Sequence, residues 1–139
     1  MKPTHIEHIG IAVKNLDEAV PLYERLLGAP CYSIEEVADQ DVRTAFFKVG
    51  GTKIELLESL SPDGPIGKFI GKRGEGVHHL ALAVPNLVEA LRELEEGGMT
   101  LIDREPRHGA ESLAIGFVHP RSTHGVLVEL CQASGGGEE

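Results

Sequence analysis

The sequence predicts an α+β fold made of two tandem βαβββ units. Three observations carry that prediction. The stretch Ile6-Glu7-His8-Ile9-Gly10-Ile11-Ala12-Val13 returns as Val77-His78-His79-Leu80-Ala81-Leu82-Ala83-Val84. With His8 set on His79 the match runs on without a gap through Asn15/Asn86, Leu16/Leu87, Glu18/Glu89 and Ala19/Ala90. Each copy reads as a strand that ends at a capped helix. Each half also closes on an apolar strand holding one acid, Ile54-Glu55-Leu56-Leu57 in the first and Val126-Leu127-Val128-Glu129-Leu130 in the second.

The elements follow in order. Asn15-Leu16-Asp17-Glu18 is a capping-box pattern, and Ala19, Leu22, Tyr23 and Leu26 then recur at helical spacing up to a stop at Gly28. Pro21 lies deeper than the first turn, so a local distortion is expected there. Residues 31–37 read as a strand, 38–41 as a turn, 42–49 as a strand, Gly50-Gly51 as a hairpin turn and 52–58 as a further strand. Residues 61–75, rich in Gly and Pro, form the expected connector, with Ile66, Phe69 and Ile70 suggesting a short helical turn. The second unit repeats the plan. A helix starts at Asn86 and ends before Gly97-Gly98, residues 100–103 read as a short strand and 107–110 as a loop. Strands are expected over 114–119 and 126–132, with a turn over 119–122 between them. One domain over residues 1–132 results, with units at about 4–60 and 76–132, and a glycine- and glutamate-rich tail over 133–139 expected to be disordered.

Bulk properties narrow the function. A chain of 139 residues with a net charge of -9 lacks the basic footprint that nucleic acid requires. No apolar run approaches the roughly 20 residues of a membrane span, and the N-terminus shows no secretory signal, so a cytoplasmic protein is expected. Cys31 and Cys131 fit no metal or redox spacing and read as reduced thiols. An anionic small substrate would depend on local cations, and Lys68, Lys72 and Arg73 form the nearest cluster, while Arg104, Arg107 and Arg121 are scattered.

The chemistry concentrates on four residues. Side chains alternate along a strand, so His8 shares a face with Gly10 and Ala12, and His79 with Ala81 and Ala83. Small neighbours leave space beside each imidazole. Glu55 follows His8 by 47 residues and Glu129 follows His79 by 50. A carboxylate within an apolar strand is usually paired, protonated or bound to a cation, because burying it unpaired costs several kcal/mol. Two imidazoles and two carboxylates make a donor set for Mn, Co, Ni, Zn or Fe. His5, His78, His108, His119 and His124 read as surface or turn residues, and no Ser-His-Asp elbow or activated Cys supports covalent catalysis.

On His8 to Val13, Thr52 to Leu57, Gly76 to His79, Phe117 to Pro120 and Gly125 to Leu130, the chain resembles the vicinal oxygen chelate superfamily. Within it the chain resembles the methylmalonyl-CoA epimerases. The resemblance implies a curved-sheet metal-binding cavity and a divalent ion, often cobalt, held by His8, Glu55, His79 and Glu129. It implies an acyl-CoA substrate, (R)/(S) interconversion at C2, Glu129 as catalytic base and a homodimer. Some members carry Gln where Glu55 stands, and some carry a second glutamate where this chain has Thr44. The latter departure puts a two-carboxylate mechanism in doubt, with Glu55, a metal-bound water or Asp41 as replacements. Glyoxalase I, extradiol dioxygenases and drug-binding proteins share the scaffold and form the alternatives.

Overall fold

The computed structural model describes residues 1–133. Contacts gather them into two compact units, one spanning His8–His78 and the other joining Met1–Glu7 to the chain from His79 onward.

In the first unit, β1 (His5–Ala12, from His8), β2 (Ser33–Val37), β3 (Val42–Val49) and β4 (Thr52–Ser59) lie in the order β2-β3-β4-β1. β1 is parallel to β4, and the other pairs are antiparallel. Helix α1 (Leu16–Leu27) covers one face, where Val13, Leu16, Ala45, Phe47 and Leu56 pack against Ala19, Val20, Tyr23 and Leu27. Asn15 caps it by accepting a hydrogen bond from the Asp17 amide at 2.8 Å, and the Leu16 amide donates to Glu58 at 3.2 Å. Gly28, at φ 67°, closes it in the left-handed region, where glycine carries no steric penalty. The helix passes through Pro21 without a break.

The second unit repeats this topology. β5 (Gly76–Ala83, from His79), β6 (Arg107–His108), β7 (Leu113–Val118) and β8 (Val128–Ala133) lie in the order β5-β8-β7-β6, with β5 parallel to β8. Helix α3 (Leu87–Glu96) begins at Asn86, whose side chain accepts from the Glu89 amide at 3.1 Å. It buries Leu87, Ala90 and Leu91 against Val84 and Leu130. These positions form the narrow stripe that 3.6-residue periodicity places on one side of a helix.

Several sequence expectations are corrected. The connector holds a nine-residue helix, α2 (Pro65–Arg73), rather than a short turn. Pro65 at the first helical position suits a missing N–H, and Ile66 supplies the buried contact. β2 starts at Ser33, because the Cys31 amide donates to the Glu24 carboxylate that closes the loop from α1. Residues 100–103 are not a strand. The Ile102 and Asp103 amides both donate to the Phe117 carbonyl, which a regular ladder does not allow, and only Leu101 bridges to Val118. The edge of β7 is occupied instead by β6, in the segment expected to be a loop. β7 is Leu113–Val118 and β8 runs Val128–Ala133, each shifted from its expected bounds, and Ala133 therefore belongs to a strand rather than to the tail. Before β8, residues 123–126 are held in a turn by the bond from the Thr123 hydroxyl to the Val126 carbonyl. Residues 134–139 lie outside the described residues.

A close approach of α3 to β7 tests this packing. A Cβ added to Gly116 would stand 3.0 Å from Leu91 Cδ1, closer than ordinary contact. Gly116→Val is expected to cost about 1–3 kcal/mol through overpacking. Urea unfolding should show a lower midpoint at unchanged slope. A variant as stable as the parent would contradict the packing described.

Candidate functional site

The site residues are set by strand register. In the first unit Gly10 of β1 is the partner of Glu55 on β4. Parallel partners project to the same face, so Glu55 lies one residue pair along from His8. The His8 Nδ1 to Glu55 Oε2 distance is 3.2 Å, with His8 3% and Glu55 4% exposed. In the second unit Ala81 of β5 is the partner of Glu129 on β8. His79 Nε2 is 3.2 Å from Glu129 Oε1, and both residues are 4% exposed. The same residue offset builds the same pair twice, although the intervening chain differs in length by three residues.

The surroundings of the two pairs differ. Beside Glu55 stands Phe46, its partner on β3 and fully buried. Thr44, two residues earlier on the same face, is 1% exposed. Beside Glu129 stands Phe117, whose ring meets the His79 imidazole edge-on, with centroids 5.8 Å apart and planes at 85°. The His79 face is not open throughout. Ala81, Leu113, Ile115, Phe117 and Cys131 form an apolar cluster beyond the pair.

The donor chemistry suits a divalent cation. An imidazole nitrogen and a carboxylate oxygen bound to one ion at about 2.1 Å each, with tetrahedral angles, stand about 3.4 Å apart. The observed 3.2 Å therefore serves ligation as well as a direct ion pair.

The other histidines stay apart from these pairs. His5 contacts the neighbouring Thr4 hydroxyl at 3.0 Å in an exposed position. His78 packs edge-on against Phe69, centroids 4.9 Å apart, on the strand face opposite His79. His108 is exposed on β6, and His119 accepts the Arg121 amide at 3.0 Å. His124 occupies a turn at φ 58°. Asp41 is likewise a turn residue. It lies at φ 56°, its carbonyl accepts the Leu60 amide and its carboxylate accepts the Ser61 hydroxyl at 2.5 Å. Lys68, Lys72 and Arg73 are exposed on α2, with Arg73 stacked over Phe69. Arg107, expected in a loop, is half-buried on β6 with its guanidinium over the Phe117 ring. A two-residue strand has no periodicity to reveal it, so no local signal marked this placement.

The model of the glyoxalase/bleomycin resistance protein/dioxygenase superfamily matches residues 7–117. The chain belongs to that superfamily. Among its relatives, an uncharacterized protein of Bacillus subtilis (strain 168), YqjC, is 45% identical over 94% of this chain and 93% of its own. The mitochondrial methylmalonyl-CoA epimerase of Homo sapiens is 35% identical, with 92% of this chain and 73% of that protein covered. A solved structure of methylmalonyl-CoA epimerase in complex with methylmalonyl-CoA and NH4+ is 34% identical, with a TM-score of 0.93 over 97% of this chain and 98% of that one. Such relatives support an enzyme of the epimerase kind. Among the described residues no helix is long and apolar enough to cross a membrane.

Proposed function

We propose that this chain is a metal-dependent methylmalonyl-CoA epimerase, interconverting the (R) and (S) forms by moving the C2 proton. The observation that carries the reading is the buried His–Glu pair at the same register in each unit, in a chain 35% identical to a named epimerase. In this reading His8, Glu55, His79 and Glu129 together hold one divalent ion, with cobalt first and manganese, nickel or zinc as alternatives. When bound, such an ion supplies Lewis-acid stabilisation to negative charge developing on a thioester oxygen. The cytoplasmic location expected from the sequence and the homodimer that the resemblance implies belong to the same reading.

The chain's own residues handle the proton. A hydrogen beside a thioester carbonyl is weakly acidic, and Glu129 is the base that removes it, the electron pair passing to the thioester oxygen. Burial keeps water from competing with this carboxylate, and His79 holds it in place. Epimerisation requires the proton to return on the opposite face of the carbon. Thr44 has no carboxylate to do this, and Asp41 is committed to its turn. The first unit presents two carboxylates on the Thr44 face, Glu35 on β2 and Glu55 on β4. Glu55, buried beside His8, is assigned the second transfer.

The purified protein is expected to hold about one divalent ion per chain, the stoichiometry of a four-donor site. His8→Ala or His79→Ala should release it, and adding the ion to metal-free parent should raise Tm as ligand linkage requires. Elemental analysis finding fully active protein without metal would sink the proposal.

Glu129→Gln is expected to lower kcat at least about 100-fold, the low end of general-base effects. Thr44→Ala should change kcat less than about 10-fold, or ~1.4 kcal/mol. Metal occupancy must be measured alongside, because Glu129→Gln also alters a proposed ligand. A metal-loaded Glu129→Gln enzyme running at the parent rate would rule out this assignment.

A further inference from the structure

We infer that Arg107 anchors an anion subsite beside the His79–Glu129 pair, taking an anionic oxygen of the bound thioester. The inference rests on the acyl-CoA reading above and adds the group that recognises the ligand's charge.

The argument begins with register. Arg107 is the β6 partner of Ile115, and Ile115 shares a face of β7 with Phe117, the partner of Glu129. Arg107 therefore lies on the strand face that carries the His–Glu pair. Its guanidinium carbon is 5.3 Å from the Phe117 ring centroid, and that ring meets the His79 imidazole. One aromatic ring separates the cation from the site.

Hydrogen bonding points the same way. Arg107 Nε is buried and makes no hydrogen bond among the described residues. Asp103 Oδ1 lies 3.2 Å away, within ion-pair range but out of line for a hydrogen bond. Nε faces Asp103, so an incoming anion would meet the terminal nitrogens of the fork rather than this buried donor. The side chain as a whole is 39% exposed, so the rest of the fork remains reachable. The other Asp103 oxygen accepts the Phe117 amide at 2.8 Å, which ties the cation and the ring to one frame.

The other arginines of this unit are placed differently. Arg92 pairs with Glu96 on the exposed side of α3, and Arg104 pairs with Glu95 while 77% exposed. Arg121 is exposed in the turn before β8. In a chain with 22 acidic and 13 basic residues, an anionic ligand requires a cation positioned at the site, and planar guanidinium forks match carboxylate and phosphate oxygens.

The anionic oxygen has two possible sources, the acyl carboxylate and the CoA phosphates, and three probes separate them. Calorimetric titration of metal-loaded parent, Arg107→Met and Arg107→Lys would use racemic methylmalonyl-CoA, propionyl-CoA and methylmalonyl-pantetheine. Arg107→Met should bind the ligands bearing the recognised anion about tenfold or more weakly, and Arg107→Lys should recover part of the loss. Loss confined to the two methylmalonyl ligands supports the subsite with the carboxylate as its anion. Loss confined to the two CoA ligands supports it with phosphate. Unchanged affinities in folded Arg107→Met overturn the inference and leave the acyl-CoA reading standing. Equal loss for all three overturns it too, because Arg107 would then only support Phe117. A parent that binds none of the three removes the acyl-CoA reading itself and the subsite with it.

Discussion

The chemistry proposed for this chain depends on one constraint, a carboxylate held out of water beside an imidazole, once in each unit. Strand register makes that possible. Glu55 and Glu129 stand beside Gly10 and Ala81, small residues that let the acid lean toward His8 or His79. The next residues, Leu56 and Leu130, point the other way into the cores beneath α1 and α3. A slip of one residue would turn each acid into an apolar core and each leucine onto the site face. The apolar packing under the helices and the polar pairs on the opposite face therefore fix each other. An isolated, ionised buried carboxylate would cost several kcal/mol, so each acid is found beside an imidazole rather than alone.

Much of this was legible in the sequence because repetition carries information that a single motif lacks. The His8/His79 alignment, the Asn15 and Asn86 caps and the acids of the closing strands required only alternation and helical periodicity. The hairpin β3–β4 was readable from Gly50-Gly51, and β3 has the bounds its pattern predicts. Misreadings arose where structure depends on distant partners. Residues 100–103 read as a short strand, but two successive amides converge on the Phe117 carbonyl and the ladder stops. The helix α2 was understated because its glycines suggest a loop. Gly67 is tolerated there because the helix packs closely on the chain before it, where an added Cβ would stand 2.6 Å from the Pro62 carbonyl oxygen.

Arg107 shows the same limit at the site. Nothing local distinguishes it from Arg104, three residues earlier. Their environments differ because β6 pairs with β7 and turns Arg107 onto Phe117, while Arg104 stays in solvent with Glu95. The exposed cations of α2 draw attention in a sequence of net charge -9, yet screening weakens exposed charges more than partly buried ones. A half-buried guanidinium beside the His–Glu pair has the stronger physical claim on an anionic ligand.

The central claim is that the paired carboxylates act on the C2 proton of an acyl thioester. Proton NMR of methylmalonyl-CoA in deuterium oxide reads that step directly. The account predicts that the C2 proton signal disappears in the presence of metal-loaded protein and persists with metal-free protein. Persistence of the signal with fully metal-loaded protein would contradict it.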